Sequence, residues 1–104
     1  MNEAAIIVSL TPPLSIDEDG IGLNPDLEKQ IYHTIRNLRI AGVQEIIVVL
    51  TYKAEPFRRK LQAIGIKMIR ETPKNDVSEA ALHKIGKDHL IRDYDYVAQI
   101  SINN

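Results

Sequence analysis

The chain has 104 residues, 44% of them hydrophobic, with a formal net charge of −1 and no cysteine. That length supports one core and one domain, residues 1–104. The near-neutral balance gives no electrostatic case for nucleic acid or an anionic membrane surface, and the lack of cysteine excludes disulfides, thiolate zinc sites and cysteine nucleophiles.

The first strand is read at about Ala4 to Leu10, on the β-branched run Ile6-Ile7-Val8. A connection from Leu10 to Asn24 follows, longer than the ~12 residues ordered connections usually reach. The first helix opens with Asn24 as cap, Pro25 at its first position, and Asp26 and Glu28 where the helix dipole favours anions. Leu27, Ile31, Ile35 and Leu38 mark its apolar face, and Gly42 stops it. Glu45 to Thr51 is an unbroken apolar run, as expected of a strand covered on both faces of a parallel sheet. A short second helix, Glu55 to Ile64, buries Phe57, Leu61 and Ile64 and turns Arg58, Arg59 and Lys60 to solvent. The third strand is Ile66 to Arg70. Asp76-Val77-Ser78-Glu79 reads as a capping box opening a third helix that runs to about Arg92, weakened by Gly86. The fourth strand is Tyr96 to Ile102.

This alternation predicts an α/β fold: a three-layer Rossmann-like domain with three helices and a four-stranded, mostly parallel sheet in the order 3-2-1-4. The ligand crevice is then expected at the carboxyl ends of the first and fourth strands, the topological switch point. Leu10, Thr11, Gly20, Gly22 and Asn103 are the crevice candidates.

The chemistry of the first connection opposes the anion site that its position suggests. Such connections hold phosphates with glycine amides, a helix N-terminus and a basic side chain. Here Pro12 and Pro13 supply no N–H, Asp17, Glu18 and Asp19 stand in a row, and the first cation in the chain is Lys29. Like charges at ~4 Å and an effective dielectric near 20 repel by about 4 kcal/mol, enough to oppose micromolar binding. Nucleotide binding is therefore expected to be weak or absent.

Ala41-Gly42-Val43-Gln44-Glu45-Ile46-Ile47-Val48-Val49, Thr51-Tyr52-Lys53-Ala54-Glu55, Ala63-Ile64-Gly65-Ile66-Lys67-Met68-Ile69 and Asp93-Tyr94-Asp95-Tyr96 together carry a resemblance. They resemble the second-strand, "GYKAE" turn, third-strand and pre-fourth-strand segments of MobA-like nucleotidyltransferases, of the glycosyltransferase-A type. The likeness spans about Pro25 to Ile102 and implies the N-terminal half of the family fold. The family's glycine-rich "LAAG" loop, with its arginine and lysine, would fall on Val8-Ser9-Leu10-Thr11, which lacks those residues. The family's metal-binding aspartate falls by position on Asn103, a poorer ligand for a hard cation than a carboxylate. By this resemblance, the half that would hold the acceptor is expected to lie beyond the matched stretch. The resemblance thus implies a nucleotidyltransferase-like domain without catalytic activity of its own, with no cofactor, no metal ligand and no catalytic residue assigned.

Other constellations read as structural. Asp17-Glu18-Asp19-Gly20 lacks the twelve-position spacing of an EF-hand loop. Asp93-Tyr94-Asp95 precedes the fourth strand, at the amino end of the sheet, and reads as a turn. His83 and His89 are six apart on one helix and face different ways, and His33 stands alone beside Arg36; all three read as surface or boundary histidines. No Gly-x-Ser-x-Gly elbow occurs.

The alternative reading is a non-enzymatic binding or assembly module on an α/β scaffold. The fourth strand comes last, so its outer edge, with Val97, Ile100 and Ile102, is expected to lie open and to need a partner. A homo-oligomer through that edge, or through apolar surface near the third helix, is expected. No apolar run nears the ~20 residues of a membrane helix and no signal peptide precedes the first strand, so a soluble cytoplasmic protein is expected.

Overall fold

The computed structural model describes residues 2–10, 15–17, 20–22, 24–51, 54–71 and 78–102. Its strands are β1 (Glu3–Ser9), β2 (Ser15–Asp17), β3 (Gly20–Gly22), β4 (Glu45–Leu50), β5 (Lys67–Arg70) and β6 (Tyr96–Ser101). Its helices are α1 (Pro25–Ile40), α2 (Glu55–Ala63) and α3 (Glu79–Asp88).

The main sheet has four strands in the order β5-β4-β1-β6, every pair parallel. This is the 3-2-1-4 order expected for the four long strands, without the antiparallel member that "mostly parallel" allowed. Ile6 lies between Ile47 of β4 and Gln99 of β6, which fixes the register at the centre. Successive side chains point to opposite faces, so each strand feeds two cores. Ala5 and Ile7 join Leu27, Ile31, Ile35, Phe57 and Leu61 under α1 and α2. Ile6 and Val8 join Ile47, Val49 and Leu82 under α3.

The helix boundaries have local causes. The Asn24 side chain accepts the Asp26 amide at 2.9 Å and opens α1. Gly42, at φ +90°, ends it in a conformation that a side chain rarely tolerates. Gly86, expected to weaken α3, also lets α3 close on the sheet. A Cβ there would stand 2.5 Å from Ile6 Cγ2 and 3.1 Å from Val49 Cγ2.

Four expectations are corrected. Leu10 to Asn24 is not a plain connection: β2 and β3 pair antiparallel within it, Ser15 with Gly22, Ile16 with Ile21 and Asp17 with Gly20. The third helix is capped by Ser78, whose Oγ accepts the Ala81 amide, and not by Asp76, which lies outside the described residues. It ends at Asp88 and not at Arg92. There the amides of His89 and Leu90 tighten onto Gly86 and Lys87, and the Ile91 amide leaves the ladder for the Glu45 carboxylate at 3.1 Å. Ile64, expected in the buried face of α2, is 39% exposed because α2 ends one residue before it. No helix among the described residues is long and apolar enough to cross a membrane.

Candidate functional site

Because every strand of the main sheet runs the same way, α1, α2 and α3 all begin at its carboxyl end. β1 is flanked by β4 and β6, and the helices beside it lie on opposite faces of the sheet. The chain therefore reverses its winding between β1 and β6, where α/β folds place their ligands.

The sequence candidates divide at this point. Leu10 leaves β1 half-buried and packs against the α3-side core, so its side chain serves the fold. Gly20 and Gly22 are the ends of β3, opposite Asp17 and Ser15. Thr11 and Asn103 lie outside the described residues.

Carboxylates dominate the first turns that open toward this end of the sheet. Asp26 and Glu28 stand in the first turn of α1, Glu55 in that of α2 and Glu79 in that of α3. Each sits where the helix dipole stabilises a negative charge, so the positive ends of the dipoles are already matched by the protein's own acids. Glu28 and Glu55 also meet cations. Glu28 accepts from Lys60 at 3.1 Å, a contact that raises the lysine above its ordinary range, and Glu55 lies 3.6 Å from Arg58. Beside the Glu28–Lys60 pair, Tyr32 meets Phe57 edge-to-face at 5.4 Å, and burial with the nearby Glu28 charge pushes its phenol up. At the end of β5, Arg70 is followed directly by Glu71, whose amide donates to Leu50 O.

The mouth between β1 and β6 holds a contact that sequence reasoning missed. His83, expected at the surface or boundary, is only 6% exposed, and its Nε2 stands 3.2 Å from Ser101 Oγ. Burial lowers the histidine, opposed by the charge of Glu79 one turn earlier, so the ring is neutral near pH 7. A neutral ring can take the hydroxyl proton only through Nε2, and that tautomer leaves a buried Nδ1–H with no acceptor. Glu79 therefore acts on the ring across space, and the geometry is not that of a serine–histidine–acid triad. The pair fastens β6 to α3. Spacing along α3 could not reveal it, because Ser101 is a distant partner in sequence.

The remaining histidines are local. His33 Nε2 meets Asn37 Nδ2 at 3.3 Å, and His89 Nδ1 meets Ile85 O at 2.9 Å. Asp93-Tyr94-Asp95 lies at the opposite, amino end of the sheet. Asp95 Oδ2 accepts the Asn2 amide, the Asp95 amide donates to Asn2 O, and Tyr94 Oη donates to Glu45 Oε1 at 2.7 Å. No cluster of three or more metal-ligating side chains occurs among the described residues.

The outer edge of β6 is the other distinctive feature. Tyr96, Gln99 and Ser101 are exposed along it, and no strand lies beside it among the described residues. Compared with known proteins, the chain matches no family model, no curated protein and no solved structure.

Proposed function

We propose that this chain is a nucleotidyltransferase-like domain that does not itself transfer nucleotides. The observation that carries this reading is the distribution of Asp26, Glu28, Glu55 and Glu79 over the first turns of all three helices. A magnesium triphosphate entering the β1–β6 crevice would meet helix dipoles already occupied by carboxylates, with further acids at Asp17, Glu18 and Asp19 in the sequence. The resemblance in the stretch from Gly42 to Tyr96 supports the family part of the reading. Isothermal titration with Mg-CTP and Mg-GTP is expected to show no saturable heat at ligand concentrations up to the millimolar range. Tight, saturable binding of either would contradict the proposal.

The open edge of β6 favours a second, compatible reading: an assembly module whose partner is a second copy of this chain. Tyr96-Val97-Ala98-Gln99-Ile100-Ser101 contains no charge, proline or glycine, the devices that keep edge strands apart. The third helix is the weaker candidate surface, because Lys84, Lys87 and Asp88 line its exposed side. Sedimentation velocity is expected to show a dimer at high micromolar concentration, and a monomer throughout that range would contradict this reading.

A further inference from the structure

We infer that two copies join antiparallel along β6 with Gln99 on the two-fold axis, the Tyr96 side chain of each copy entering a groove beside Ile102 of the other. This rests on the self-assembly reading above and adds its register.

The first support is the direction of the backbone groups. The amides of Tyr96 and Ile102 donate to Asn2 O and Val8 O, toward β1. Backbone direction alternates along a strand, so Ala98 and Ile100 share that orientation. Val97, Gln99 and Ser101 therefore turn their N–H and C=O groups to the open side. An antiparallel partner must meet these three positions with its own three. Pairing Gln99 with Gln99 and Val97 with Ser101 in both directions satisfies all of them, with about six inter-copy hydrogen bonds. Centring on Ala98 instead pairs only Val97 with Gln99 and leaves Ser101 facing residues before the strand.

Side-chain faces impose the same parity. Ala98, Ile100 and Ile102 belong to the core under α1 and α2, whereas Val97 belongs to the core under α3, and Ser101 meets His83 of α3. A two-fold axis perpendicular to the sheet keeps like faces together, so only positions of equal parity can stand opposite. The Gln99-centred register meets this condition at every pair. It also brings the two exposed Gln99 side chains together on the α3 face.

The second support is the shape of the α1 flank. In this register Tyr96 of one copy stands opposite Ile102 of the other. Ile102 borders a groove of about 380 Å³ with Lys29, Gln30, His33 and Thr34 of α1. Tyr96 is 58% exposed, and alternation along β6 assigns it to the same face as Ala98, Ile100 and Ile102. An aromatic ring entering an apolar groove with polar groups at its rim is the composition expected of an interface anchor. The groove and the ring lie at opposite ends of β6, as a self-complementary antiparallel contact requires.

The absence of cysteine permits a direct test with single-cysteine variants of the full chain. In the inferred register the two Gln99 Cα atoms stand about 5.5 Å apart, within disulfide range, and the two Ala98 positions are diagonal neighbours at roughly 7–8 Å, outside it. Under mild oxidation Q99C is expected to form a covalent dimer at least about tenfold faster than A98C. Sedimentation of the unmodified chain, run alongside, separates the two levels of the proposal. A dimer in which A98C cross-links faster, or in which neither variant does, overturns the register while self-association stands. A chain that stays monomeric overturns both.

Discussion

The two edges of the sheet are built differently. β5 is four residues long and places Lys67 and Arg70, both exposed, at its ends, with Met68 and Ile69 buried between them. β6 is six residues long, carries no charge, and is only partly covered on either face. Charged side chains at an edge make a second strand costly, because they would be desolvated or brought opposite like charges. The two edges therefore differ in the feature that natural sheets use to keep edges apart: β5 carries charge at both ends and β6 carries none.

The largest effect on this contrast is expected from Tyr96→Ala. Removing an interface anchor should weaken dimerisation by about 2 kcal/mol, roughly 30-fold, while the monomer keeps its melting temperature. Sedimentation equilibrium reads the first quantity and calorimetry the second. If the dimer is unchanged, the ring is not in the interface.

Gly86→Ala sharpens the comparison from inside the fold. The added methyl meets Ile6 and Val49, so α3 must lift, at a cost of about 1–3 kcal/mol, offset by roughly 1 kcal/mol of helix propensity. α3 covers the face that Val97 and Ser101 share, so amide hydrogen exchange should accelerate in β6 before β5. Equal acceleration at both edges would show that α3 does not hold β6 specifically.

The β5 edge supplies the converse. The double variant Lys67→Val, Arg70→Val should gain concentration-dependent association that light scattering detects, at a few tenths to about 1 kcal/mol for each cross-strand pair. Scattering identical to that of the unmodified chain would mean that charge is not what keeps β5 single.

The smallest effect is the proton on His83. Burial holds its folded-state pKa below the ordinary histidine value of 6.5, so the unfolded chain takes up the proton first as pH falls. The stability it contributes is complete above 6.5 and is lost as pH falls through the lower folded value. Urea unfolding at pH 7.5 and at pH 5 should show this loss in the unmodified chain and a smaller one in His83→Gln. An equal loss in both would place the acid sensitivity elsewhere.

Much of the fold was legible because local and long-range preferences agree. The apolar runs of β1 and β4, the Asn24-Pro25 start of α1 and the glycines after α1 and α2 each specify an element that tertiary packing then keeps. The β2–β3 hairpin was not legible, because three-residue strands are too short to display alternation and Gly20 and Gly22 oppose strand propensity. The end of α3 depends on Glu45, far away in sequence, taking the Ile91 amide. Burial of His83 depends equally on Ser101. At the candidate site, position alone marks Leu10 as a crevice residue, and its packing against the α3-side core is a contact that only the fold displays.

The antiparallel β6 pairing is read out by intermolecular nuclear Overhauser contacts in a sample mixed from isotope-labelled and unlabelled chains. Contacts are expected between the Tyr96 ring of one copy and the Ile102 methyl groups of another. Contacts confined to α3 or to β5, in a sample that is dimeric, would contradict that pairing.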